Sequence, residues 1–122
     1  MHLFKHLAVA LAVASASVCA DAQTPPAAPA AFSSCIACHG TAPNDNRIGP
    51  SLSGVFHRPA GSVAGFRYSR AMKHSGIEWN EQTLDDFLRN PQRVVAGNHM
   101  PFSGITDDVE RKQVVRYLQT LR

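Results

Sequence analysis

The chain has little lysine. Of its 122 residues only Lys5, Lys73 and Lys112 are lysine, against nine arginines. No dense basic run forms, so the electrostatic footprint of a nucleic-acid binder is missing and nucleic acid is excluded as a partner. Cysteine is also sparse, with Cys19, Cys35 and Cys38 alone, and there is no second Cys-x-x-Cys pair to complete a thiolate zinc site. Strand signals are thin, with no clear period-2 stretch, and no internal repeat is visible. Long apolar runs are missing as well. The one candidate, from Leu7 to about Val18, falls short of the roughly 20 residues that cross a bilayer.

That run fits a secretory signal peptide. Lys5 lies between two histidines, the apolar middle follows, and small residues come next, with cleavage after Ala20 or Ala22. An uncleaved anchor helix or a lipid on Cys19 fits less well, since the run is short and Val18 is bulky. The expectation is export to the periplasm, with membrane association at most peripheral. Residues 1–22 form the leader, residues 23–31 ("QTPPAAPAA") a Pro/Ala-rich linker, and residues 32–122 the folded domain. Without the leader the formal charge is still +3, from 11 basic and 8 acidic residues. About 90 residues make a marginal core, one that a covalently held apolar cofactor would enlarge.

What the sequence does have is helix punctuation. "AAFSSCIACHG" is a short candidate between Pro29 and Gly40. "YSRAMKHSG" is another, with Ser69 as N-cap and Gly76 past its end. "NEQTLDDFLRNP" follows Trp79: Asn80 caps it, Leu84, Phe87 and Leu88 share a face, and Pro91 ends it. A final helix runs through "TDDVERKQVVRYLQTLR", with Thr106 as cap and Val114, Tyr117, Leu118 and Leu121 as its apolar stripe. The stretches "NDNRIGPSLSGVFHRPAGSVAGF" and "QRVVAGNHMPFSGI" read as loops. Loops that long in a small domain point to function.

The chemistry sits in Cys35-Ile36-Ala37-Cys38-His39. Zinc would need further ligands, and His57, His74 and His99 are scattered without ligand spacing. Dithiol exchange wants a neighbouring strand–helix unit, which is not visible. A disulfide two residues apart would stabilise little. Haem attachment uses every residue: each cysteine can take one vinyl group, and the adjacent histidine is delivered to the iron. The second axial ligand must come from elsewhere. Thioether sulfur suits an electron-transfer haem, and the candidates are Met72 and Met100. Met72 lies in a helical stretch, where methionine is more often packing. Met100 lies in a loop that could cross the opposite face, with His99 beside it as the substitute ligand.

Taken together, "CIACH", "GPSLSGVFHRPAG", "GFRYSRAMK", "GIEWNEQTLDDFLRNP", "GNHMPFSGI" and "VVRYLQ" resemble the class I cytochromes c, in their mitochondrial and bacterial c2-like branch. The resemblance covers nearly all of residues 32–122. It implies an all-α class I cytochrome c fold, with four to five short helices and long loops wrapped around one covalently bound haem c. It further implies thioethers at Cys35 and Cys38, iron ligation by His39 and Met100, and a Pro50 carbonyl that accepts a hydrogen bond from the His39 ring. Arg58, Tyr68 and Trp79 would meet the haem propionates. Phe102 would lie beside the exposed haem edge, and Phe32 would touch Tyr117 between the first and last helices.

The chain also departs from the pattern. Pro25, Pro26 and Pro29 shorten the first helix, so its packing on the last should be less extensive. Phe87 replaces a tyrosine that bonds the ligand sulfur, and Asn98 stands where a threonine usually sits, its amide a partial substitute. Met72 replaces a buried asparagine. Gln92, His99 and Asp107 stand where the family carries docking lysines. The function implied is a monomeric, periplasmic single-electron carrier working between redox partner proteins, and not an enzyme. The alternatives are a haem peroxidase, should Met100 dissociate, or a dedicated electron-transfer subunit or sensor of a larger oxidoreductase complex.

Overall fold

Short helices separated by long loops carry the path of the described residues. The computed structural model describes residues 24–122, so the leader read at residues 1–22 lies outside the described residues. A 3-10 turn, Ala30–Phe32, runs into α1, Ser33–Ile36; α2 is Arg70–Lys73, α3 Glu81–Arg89, α4 Pro91–Val94 and α5 Asp108–Leu118. Among the described residues there is no named strand, only an isolated antiparallel bridge between Pro59 and Glu78. No helix among them is long and apolar enough to cross a membrane.

The caps follow the side chains available. Ser69 accepts from the Met72 N–H and starts α2. Asn80 accepts from the Thr83 N–H while the Thr83 hydroxyl accepts from the Asn80 N–H, a reciprocal box that fixes the start of α3. Two expectations are corrected. Pro91 ends α3 but also opens α4, because a residue with no N–H and a fixed φ suits a first helical position. The N-cap of α5 is Asp107, not Thr106; its carboxylate accepts from the Glu110 N–H at 2.8 Å.

The core joins Phe32, Val55, Trp79, Leu84, Phe87, Leu88, Val95, Ile105, Val114, Val115 and Leu118. The shortened N-terminal element reaches α5 through Phe32 against Tyr117, ring centroids 4.7 Å apart and edge to face. Helices α3 and α5 cross beside it. Their junction holds Arg111, whose side chain is 0% exposed. A buried cation survives only when paired and hydrogen-bonded. Here Nε donates to Asp85 of α3 at 2.9 Å, Nη1 to the Ile105 carbonyl at 2.8 Å, and Nη2 to Asp108.

The hydrogen bond from Arg111, and then its charge, hold the Asp108 carboxyl below the usual carboxylate range. A carboxylate depressed in the folded state adds stability above its ordinary value of 3.8, lost as pH falls through the folded value. Asp108→Asn is therefore expected to lose less stability than the parent between neutral pH and pH of about 3, as urea melts at the two pH values would report. A parent whose loss over that range is no greater than the variant's contradicts this account.

Candidate cofactor site

The Cys-x-x-Cys-His segment is a tight coil in which the Cys38 and His39 N–H groups both reach back to the Cys35 carbonyl, at 3.1 and 2.9 Å. This puts Cys35, Cys38 and His39 on the wall of one cavity. No disulfide joins Cys35 to Cys38, so both sulfurs are available to the cavity. The next loop folds back over the segment: the Gly49 N–H donates to the Cys38 carbonyl at 2.8 Å and the Leu52 N–H to the Gly40 carbonyl at 2.9 Å.

This return sets the imidazole. His39 Nδ1 lies 2.7 Å from the Pro50 carbonyl oxygen. A carbonyl can only accept, so Nδ1 carries the proton and Nε2 presents its lone pair. Burial lowers the pKa of the ring, partly opposed by the Pro50 bond, with the Arg58 charge lowering it further, so the neutral, ligating form is favoured. Gly49 is what permits the contact. A Cβ there would sit 2.6 Å from His39 Nδ1 and 2.7 Å from Nε2. The functional importance of this glycine is a point that sequence reasoning missed; the signal was the Gly beside Pro50.

Two loop segments that meet at the Pro59–Glu78 bridge supply another part of the wall. The Trp79 N–H donates to the Arg58 carbonyl at 3.0 Å, and the His57 N–H to the Trp79 carbonyl at 2.6 Å. Arg58 and Trp79 are thereby neighbours at the cavity. Arg58 donates from Nη1 to the Ser53 carbonyl at 2.8 Å and from Nη2 to that of Ser51 at 3.0 Å, while its Nε is buried without a partner. Burial lowers the pKa of this guanidinium, an effect that nearby Tyr68 opposes. The Tyr68 hydroxyl accepts from the Val63 N–H at 3.1 Å, and Trp79 packs on Phe87 at 4.9 Å.

Another part of the wall comes from the loop after α4. Met100 and Phe102 line the cavity with Met72, Phe87 and Leu88. The expectation that the Asn98 amide substitutes for a missing phenol is corrected. Nδ2 donates to the carbonyls of Pro91 and Val95 at 3.0 and 2.9 Å, and Oδ1 accepts from the Met100 N–H at 2.9 Å. Asn98 therefore shapes the loop and leaves the sulfur alone. His99 is exposed, as a solvent-facing loop residue should be.

All nine residues singled out from sequence (Cys35, Cys38, His39, Pro50, Arg58, Tyr68, Trp79, Met100 and Phe102) line this cavity. It holds about 1320 Å³ of empty space, part of it open to solvent. Leu84, Phe87, Leu88, Val114 and Leu118 belong both to the core and to its walls, so the core closes only around an inserted group. The donor set fits a flat apolar group with acidic edges. The walls are aliphatic and aromatic, and the orphan Arg58 N–H lacks an acceptor that a carboxylate would supply. Among the described residues no group of three or more His, Cys, Asp or Glu comes together to hold a bare metal ion.

A helical shell that leaves its own core open to a Cys-x-x-Cys-His wall is the architecture of a class I c-type cytochrome. A model of the cytochrome c family matches residues 27–122. The chain is 43% identical over 95 residues to cytochrome c2 iso-2 of Magnetospirillum molischianum, covering 78% of this chain and 98% of that one. It is 35% identical over 117 residues to cytochrome c2 of Blastochloris viridis, covering 94% and 92%. Cytochrome cH from Methylobacterium extorquens superposes with a TM-score of 0.70 at 37% identity, covering 74% of this chain and 91% of that one. The chain belongs to the cytochrome c family, as a class I, c2-like member. It carries one covalently bound haem c and is an electron-transfer protein, not an enzyme.

Proposed function

We propose that the protein is a periplasmic, monomeric single-electron carrier whose haem iron is held between His39 and Met100. The single observation that carries the ligation is the cavity itself. His39, with Nε2 freed by the Pro50 bond, and the Met100 thioether line it from different segments of the chain, 61 positions apart in sequence. Haem c, when bound, supplies the one-electron iron couple. The chain does the rest. Cys35 and Cys38 tether the group, and Pro50 holds the proximal ring in one tautomer and one orientation. Arg58 offers its unpaired Nε–H to a propionate, with Tyr68 and Trp79 beside it. Phe102, on the cavity wall, would lie beside the edge across which electrons leave. Export rests on the leader reading of residues 1–22.

Redox partner proteins would dock with little electrostatic steering, because Gln92, His99 and Asp107 are exposed where lysines would attract an acidic partner. One observation favours a weak peroxidase side activity beside electron transfer. Among the described residues no side chain donates a hydrogen bond to the Met100 sulfur: Phe87 has no hydroxyl, and both Asn98 amide bonds are spent.

Carbon monoxide tests how firmly Met100 closes the iron site. The carrier reading expects periplasmic fractionation, a ferric sulfur–iron charge-transfer band, and a reduced spectrum unmoved by carbon monoxide at neutral pH. Rapid carbon monoxide binding there sinks it in favour of an open iron site.

A further inference from the structure

The loop that bears Met100 is strung between two clamps. Near its start, Asn98 is bonded to the carbonyls of Pro91 and Val95, and Gln92 Nε2 donates to the Asn98 carbonyl at 2.9 Å. Between the clamps, residues 99–104 make one backbone–backbone hydrogen bond, from the Phe102 N–H to the Met100 carbonyl at 2.9 Å. At the far end the Ile105 N–H donates to the Leu88 carbonyl of α3 at 2.8 Å. Gly104 has φ +115°, and a Cβ there would run into the Arg89 carbonyl. The Ile105 carbonyl itself is taken by Arg111 Nη1 at 2.8 Å, with the Thr106 carbonyl at 3.4 Å.

This far clamp is an ion network. Arg111 of α5 is fully buried and pairs with Asp85 of α3 and with Asp108; Arg89 bonds the other Asp85 oxygen at 3.0 Å. One guanidinium therefore ties three things together: the end of the Met100 loop, α3, and the first turn of α5. Its planar fork meets all three at once, which a lysine ammonium cannot reproduce.

We propose that Arg111 is a positioning residue for Met100: by fixing the far end of the 99–104 loop to α3 and α5, the Arg111–Asp85 pair sets how readily the methionine leaves the iron. The proposal rests on Met100 being the ligand. Breaking the pair leaves the Ile105 carbonyl and an Asp85 oxygen without their partner, and the cheapest relief is movement of the loop end. The fraction of molecules with Met100 detached then rises, and an outside ligand binds more tightly in proportion to that fraction.

The test uses the ferric holoprotein titrated with imidazole, followed by loss of the sulfur–iron charge-transfer band, with urea unfolding measured in parallel. Arg111→Lys and Asp85→Asn are each expected to bind imidazole about tenfold more tightly than the parent. Phe32→Leu supplies the comparison. It weakens the Tyr117 contact, away from the cavity wall, and should lower the urea midpoint while leaving imidazole affinity unmoved. Unchanged imidazole affinity in both clamp variants overturns the positioning role. So does an equal rise in Phe32→Leu, which would make the effect one of general destabilisation. A parent with no charge-transfer band overturns the ligand reading, and with it the proposal, and is recognised before any variant is made.

Discussion

Met100→Ala is expected to abolish the ferric sulfur–iron charge-transfer band and to open the reduced protein to carbon monoxide at neutral pH. The side chain lies on the cavity wall with Met72 as its nearest chemical substitute, but Met72 belongs to α2, whose start is fixed by the Ser69 cap. His99 adjoins Met100 and is exposed, so it is the residue best placed to enter in its stead. Thioether sulfur favours reduced iron, so the potential should fall whether water or an imidazole takes its place. Spectra of the ferric form and carbon monoxide difference spectra of the reduced form check both parts. A surviving band would transfer the ligand role to Met72.

Gly49→Ala should damage the proximal side to a comparable degree. The added Cβ would meet the His39 ring, 2.6 Å from Nδ1 and 2.7 Å from Nε2, and the ring cannot give way if it is bonded to iron. Overpacking of this kind costs about 2 kcal/mol. The relief available is for the Pro50 loop to retreat, which breaks the Nδ1 bond to the Pro50 carbonyl. A ring that no longer donates there is the weaker donor to oxidised iron, so the potential should rise. The two variants therefore move the potential in opposite directions, and voltammetry on both tests the assignment of the two faces. A fall in Gly49→Ala would contradict the role given to Pro50.

Much of this site is legible in the sequence, for identifiable reasons. Attachment chemistry demands two sulfurs and an imidazole at fixed spacing, so Cys35, Cys38 and His39 announce themselves. The caps at Ser69 and Asn80 were readable because their side-chain bonds span three residues. What stayed hidden depended on contacts distant in sequence or on a choice between equivalent local signals. The stretch Thr106-Asp107-Asp108 offers three successive capping side chains, and the helix starts from the second. Pro91 signals both a stop and a start, and only the Asn90 side chain accepting from the Arg93 N–H reveals α4.

Arg111 is the largest omission. Within "VERKQ" an arginine reads as solvated. Its partner Asp85 lies 26 residues earlier, beyond the reach of a local pattern. The available signal was its register, since Arg111, Val114, Val115 and Leu118 occupy one buried face of α5. Asn98 misled in the opposite sense. Its place in the motif suggested a partial substitute for the phenol, while its amide N–H groups go to the backbone carbonyls of Pro91 and Val95.

The central claim is that one imidazole and one thioether hold the iron, from His39 and Met100. X-ray absorption at the iron edge of the reduced holoprotein, purified after export, tests it most directly. A six-coordinate iron with one sulfur and five nitrogen neighbours is expected, the sulfur lost in Met100→Ala and retained in Met72→Leu. A first shell of nitrogen alone, or a sulfur that survives Met100→Ala, would contradict it.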